Sequence, residues 1–344
     1  MNTAEKRIGI GIAPATLMIL LAAILIIICI TALMLGQLRI PPMTILKIFA
    51  SRVFPIEPTW EPTLESVLFD VRLPRLLAGL LVGAGLSISG AAFQGLFRNP
   101  LVSPHILGVS AGAGLGAALA ILFFSSILAI QVLSFTFGLA AVLMTVGLAR
   151  VYRTTPVLML VLSGIIVGAL FSACTSLLKY IADPLNNMPS IVFWLLGSLN
   201  NASNKDLAIV GPVILSGIII LLLIRWRINL LAMGEENARA LGVDTGRLTA
   251  LIIICSTMIS AASVSISGII GWIGLVIPHI GRLLVGPDNK RLLPVVALVG
   301  ASYLITVDTI ARTAMESEIP IGILTALVGA PIFAYLLKKS RPGW

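Results

Sequence analysis

The stretch LLAGLLVGAGLSISGAAFQGLF, Leu76–Phe97, runs for 22 residues without a charge. About 20 apolar residues are enough for a helix to cross the hydrocarbon core of a bilayer, so this stretch predicts a membrane span. It also holds the tetrapeptide Ser87-Ile88-Ser89-Gly90, which returns as Ser265-Ile266-Ser267-Gly268. Each copy is followed by Pro-His-Ile, at Pro104-His105-Ile106 and at Pro278-His279-Ile280. If spans alternate in direction, the first copy lies on a helix running inward and the second on one running outward. That is the signature of an inverted repeat, common in transporters. The competing reading is chance recurrence of residues that membrane helices use often.

Further apolar runs lie near 15–36, 105–124, 127–149, 156–178, 207–224, 248–268, 293–311 and 321–337. A shorter run, 271–281, contains Gly274 and Pro278, and another, 191–199, is too short to span. With 271–281 counted as a short crossing there are ten spans, and the repeat units are spans 2–5 and 7–10. The expected fold class is therefore all-α and polytopic, one membrane domain over residues 1–344. The first run follows Lys6 and Arg7, exceeds a signal-peptide core in length and reads as a retained helix. Composition agrees: 58% of residues are hydrophobic and 11% charged, against about 25% charged in soluble domains. The mean hydropathy is +1.08. No run alternates as a barrel strand would. The net charge of +9 is scattered between apolar runs, so no nucleic-acid partner is expected.

Orientation follows from lysine and arginine placement. With the N-terminus in the cytoplasm, 15 of the 23 cations fall on the inner side, among them Lys6, Arg7, Arg98, Arg150, Arg153, Arg239 and Arg341. The other 8, including Arg72, Arg75 and Arg312, fall outside. Both termini are then cytoplasmic. Without the short crossing at 271–281 this bias disappears.

Charge within the spans is scarce. Asp308 sits four residues before Arg312, and a local i,i+4 pair is preferred to a proton relay. His105 and His279 each follow a proline and read as structural histidines. Cys29, Cys174 and Cys255 have no metal-ligand spacing and read as small core residues. No catalytic set, metal site or cofactor motif is expected. Glycine series such as Gly79-x-x-x-Gly83 and Gly108-x-x-x-Gly112-x-Gly114-x-Gly116 allow close helix packing and also leave room for a wide, weakly polar path. No lysine follows a glycine anywhere in the chain, so the phosphate-binding GxxxxGK[ST] motif is absent. Active transport would then need energy from another chain.

The longest polar inner segment includes Gly234-Glu235-Glu236-Asn237-Ala238-Arg239-Ala240-Leu241-Gly242-Val243. Glu235 and Glu236 suit a helix start, Gly242 suits a C-terminal cap, and Glu235 and Arg239 are spaced to pair. A short surface helix bearing Ala238, Leu241 and Val243 is predicted, a shape suited to a partner's groove.

The motifs Arg72-Leu73-Pro74-Arg75, Gly90 to Leu101 (GAAFQGLFRNPL), Gly108-Val109-Ser110-x-Gly112-Ala113-Gly114, Ala238 to Val243 (ARALGV), Gly274 to His279 (GLVIPH), Ile319-Pro320-Ile321-Gly322 and Leu327 to Pro331 (LVGAP) occur in one order. Over nearly the whole chain they resemble the FecCD-type permeases, the transmembrane subunits of ABC importers for iron-siderophore complexes, haem and vitamin B12. The resemblance implies the ten-helix type II importer fold. It implies two permease subunits, two cytoplasmic ATP-binding subunits that hydrolyse the ATP, and a periplasmic or lipid-anchored substrate-binding protein. It places such a chain, surrounded by lipid, in a bacterial or archaeal inner membrane. It further implies that Arg72, Arg75 and Arg312 dock the binding protein, that Asn99 and Leu101 form the inner gate, and that 230–247, with Glu235, Ala238, Arg239, Leu241 and Gly242, couples to the ATPase. The stretch Lys179–Pro184 resembles a branch carrying molybdate or tungstate. A proton- or ion-driven secondary carrier, which would share the inverted repeat, is the alternative class.

Overall fold

A computed structural model describes residues 13–124, 126–149 and 157–339. Lys6, Arg7, Arg150, Arg153 and Arg341, which enter the charge bias above, lie outside the described residues, as do both termini. The helices in chain order are α1 (Pro14–Met34), α2 (Pro42–Ser51), α3 (Pro62–Ser66), α4 (Leu73–Phe97), α5 (Val109–Phe123), α6 (Ile127–Ala149) and α7 (Val157–Ile181). They continue with α8 (Asn187–Leu196), α9 (Asn204–Ala232), α10 (Glu235–Ala240), α11 (Thr245–Ser267), α12 (Ile273–Val285), α13 (Asn289–Thr313) and α14 (Ile321–Lys339).

Among the described residues, seven helices are long and apolar enough to cross a membrane. The shorter apolar helices α5, α12 and α14 complete the ten predicted runs. The run 191–199 becomes α8, 10 residues long. The run 271–281 does not break at Pro278, which lies inside α12.

The two units that carry the SISG copies pack against each other. α4 and α11, which carry the two SISG copies, touch each other and are the most buried of the long helices. α4 packs against α12 and α13 of the second unit, and α11 against α5 and α6 of the first. The copies end differently. Gly90 lies within α4, whereas Gly268 stops α11 with φ +64°. A side chain at Gly90 would overlap the Gly274 carbonyl of α12. That carbonyl is four residues before Pro278, which has no N–H to offer it. The proline and the glycine thus act together, and the two backbones touch. Gly83 against Gly300, Gly112 against Phe137 and Gly116 against Leu133 are equally close crossings. These glycines serve packing.

Two local expectations are corrected. Its proline makes Arg72-Leu73-Pro74-Arg75 read in the sequence as a rigid turn, and it is not one. It lies where a π-helical turn, Val67–Arg72, feeds directly into α4, so α3, that turn and α4 form one helix of 36 residues. The widened turn just before Pro74 relieves the clash and the lost hydrogen bond that a proline brings to a helix interior. Of the cysteines, only Cys255 is buried; Cys174 is exposed on α7.

Candidate functional site

The predicted functional residues fall at the two ends of the bundle. Arg75 and Arg98 bracket α4, which puts them about 35 Å apart.

At the first end, α4 and α13 bring three arginines together beside the C-terminus of α1. Arg75 grips Asp308 with Nε at 2.9 and 3.0 Å from the two carboxylate oxygens. Its Nη1 donates to Glu318 at 2.8 Å. Asp308 is thus held mainly by Arg75, 233 residues away in sequence; the expected partner Arg312 stands farther off, at 3.8 Å. Arg72 does not turn to Asp70. It donates to the carbonyls of Leu33, Met34 and Leu38, and Arg312 donates to that of Ala32. These carbonyls include ones that the end of a helix leaves without partners, and cations are favoured there. Arg72 and Arg75 are each only 5% exposed. Their guanidinium groups face into the protein and hold α1, α4 and α13 as one unit.

At the second end, α4 stops at Phe97 because Arg98 takes a left-handed conformation, φ 48°. In the break that Pro100 dictates, the Asn99 side chain accepts from the Leu101 N–H at 2.9 Å. Leu101 is left 52% exposed.

Nearby, α10 forms as the spacing predicts. Gly234 enters it with φ +114°, and Arg239 pairs with Glu235 at 2.8 Å. Thr245 ties both to α11, donating to Glu235 at 3.1 Å and accepting from Arg239 at 3.0 Å. Gly242 at φ +79° closes the helix, with Gly242 N–H bonded to the Arg239 carbonyl and Val243 N–H to that of Ala238. This paired pattern satisfies carbonyls the helix end would orphan. The outward face is narrower than predicted: Ala238 is buried, and Leu241 carries the exposed apolar surface.

Sequence reasoning missed the clasp that holds α9 in place just before α10. Asn229 donates to Asp288 at 2.6 Å and accepts from the Asn289 N–H and side chain at 2.8 Å each. Asp288 also caps α13. The cap was readable as an aspartate before an apolar run; its partner on α9 was not. Gln94 was missed too. It links α4 to both ends of α12, donating to the Leu275 carbonyl and accepting from Arg282.

The histidines are built into the frame. His105 pairs with Ser110, and His279 lies edge-on to Phe333 at 6.4 Å. Among the described residues, no three of His, Cys, Asp or Glu converge to hold a metal.

The described residues form an all-helical bundle with a break after α4 at one end and a capped surface helix beside it. The chain belongs to the FecCD transport family, whose model matches residues 24–339. It is 42% identical over 323 residues to a molybdate import system permease protein of Haemophilus influenzae, covering 94% of this chain and 95% of that one. It is 43% identical over 279 residues to a probable iron chelatin transport system permease protein of Helicobacter pylori, covering 81% and 84%. A solved structure described as an inward-facing conformation of a metal-chelate type ABC transporter superimposes with a TM-score of 0.84 at 41% identity, covering 95% of this chain and all of that one. The chain is a multi-pass permease of the metal-chelate class of ABC importers, a family that works with ATP-binding and substrate-binding partners.

Proposed function

We propose that this permease sits in the inner membrane of a bacterium or archaeon with both termini in the cytoplasm. Two copies enclose a central path, two ATPase subunits bind their cytoplasmic ends, and the cargo is an iron-siderophore, haem or cobalamin complex. The observation that carries this reading is α10. A helix of 6 residues is far too short to be stable alone. It is nonetheless held at both ends and presents Leu241 to solvent, as a docking knob requires. The binding protein engages the opposite end, whose shape Arg72, Arg75 and Arg312 fix from within.

A second reading of the cargo, molybdate or tungstate, is favoured by the Haemophilus relative, which matches this chain nearly end to end. Proteoliposomes holding the complex and its cognate binding protein separate the two. Labelled ferric chelate should accumulate with ATP, and excess molybdate should not compete. Accumulation of molybdate with no competition by chelate would transfer the assignment to the oxyanion.

Leu101, exposed on the single chain, closes the path against its symmetry mate as an apolar plug. Cysteine at 101 should crosslink across the dimer in the closed state and less when the path opens inward. No crosslink in any nucleotide state would put this turn away from the axis.

A further inference from the structure

We infer that the groove between α6 and α11 at the α10 end binds one acyl chain of an anionic phospholipid, with the headgroup phosphate on Arg98. The groove encloses about 550 Å³, within the roughly 300–1,000 Å³ range of ligand pockets. Leu139 and Leu143 of α6 and Ile253, Ile254 and Met258 of α11 line it. Leu143 and Ile254 are exposed, so it opens on the side of the helix bundle, where a lipid chain could enter.

Its dimensions match one leaflet. The wall from Gly246 to Met258 covers 13 residues of α11, about 18 Å of helix from first to last. Half of a hydrocarbon core of about 30 Å is about 15 Å. A protein segment reaching that deep in extended form would strand its backbone polar groups, whereas an acyl chain has none to satisfy.

Charge at the mouth fits a phospholipid. Arg98, Glu235 and Thr249 stand there. The Glu235 carboxylate is already taken by Arg239 and Thr245. Arg98 is exposed and has no ion-pair or hydrogen-bond partner among the described residues. An unpaired arginine over a leaflet-length apolar groove complements a phosphate above its acyl chain. The Arg98 guanidinium also lies beside Gly234, the entry to α10. A lipid seated there would buttress α10, which rests on the reading that α10 meets the ATPase.

The test uses the permease–ATPase complex in nanodiscs with photoactivatable phosphatidylglycerol, and phosphatidylcholine as the uncharged comparison. Adducts should map to 135–146 and 246–258, with phosphatidylglycerol favoured. Arg98→Gln should cut labelling about fivefold, what one cation near an anionic surface is worth. Ala250→Trp, a change at an exposed groove residue, should abolish it by filling the groove. Adducts scattered over α1 and α7, equal labelling by both lipids, or labelling that survives Ala250→Trp would each overturn the site. Cysteine accessibility at position 241 reports separately which side α10 faces. Groove labelling with α10 facing outward would uphold the lipid site and refute the orientation.

Discussion

Asp308→Ala is expected to destabilise the permease by about 3–5 kcal/mol, the cost of leaving a buried charge without its partner. Asp308 is 5% exposed and lies between Arg75 and Arg312, with Arg72 one turn before Arg75. Its removal sets three arginines against one remaining acid, Glu318, in a region nearly closed to water. The damage should spread to α1, which is otherwise the least buried of the long helices and is held by Arg72 and Arg312 at its end. Thermal unfolding in detergent should show the loss, and protease sensitivity between α1 and α2 should rise. The double variant Arg75→Met with Asp308→Leu should recover much of it, because an apolar pair of similar volume avoids the desolvation cost. If Asp308→Ala unfolds at the native temperature, the cluster is not what anchors α1.

Leu241→Asp is expected to abolish ATP-driven uptake while leaving the fold intact. Leu241 is 62% exposed, so the substitution costs the isolated permease little. In an assembled complex the same side chain would enter an apolar groove of the ATPase, where a carboxylate is strongly disfavoured. The expected loss of affinity is about 2 kcal/mol or more, roughly 30-fold. Ala238→Ser, on the buried face of the same helix, should lower stability without a specific effect on ATPase affinity. Wild-type uptake by Leu241→Asp would remove α10 from the coupling interface.

The long apolar helices were legible in the sequence because each apolar run is bounded by charge, proline or glycine, whereas α2 and α3 were not foreseen. The caps of α10 were legible for the same local reason: Glu235, Arg239 and Gly242 act within one or two turns. What failed was non-local or depended on a single residue's register. Arg72-Leu73-Pro74-Arg75 reads as a turn because proline marks one, and only the preceding π-helical turn lets the helix pass through it. Arg75 has no neighbour in sequence that announces Asp308. Ala238 and Leu241, three residues apart, were expected on one outward face. The helix ends between them, and Ala238 turns inward. The pairing of Asn229 with Asp288 joins residues 59 apart and follows from the packing of α9 on α13.

The central claim is that this chain moves its cargo with energy released by another protein. The direct measurement is uptake into proteoliposomes, with the permease alone under a proton gradient and with its ATPase and binding protein supplied with ATP. Uptake is expected only from the complete complex, to depend on ATP on the α10 side, and to persist when the proton gradient is collapsed. Accumulation by the permease alone under a proton gradient would contradict the claim and make the chain a secondary carrier.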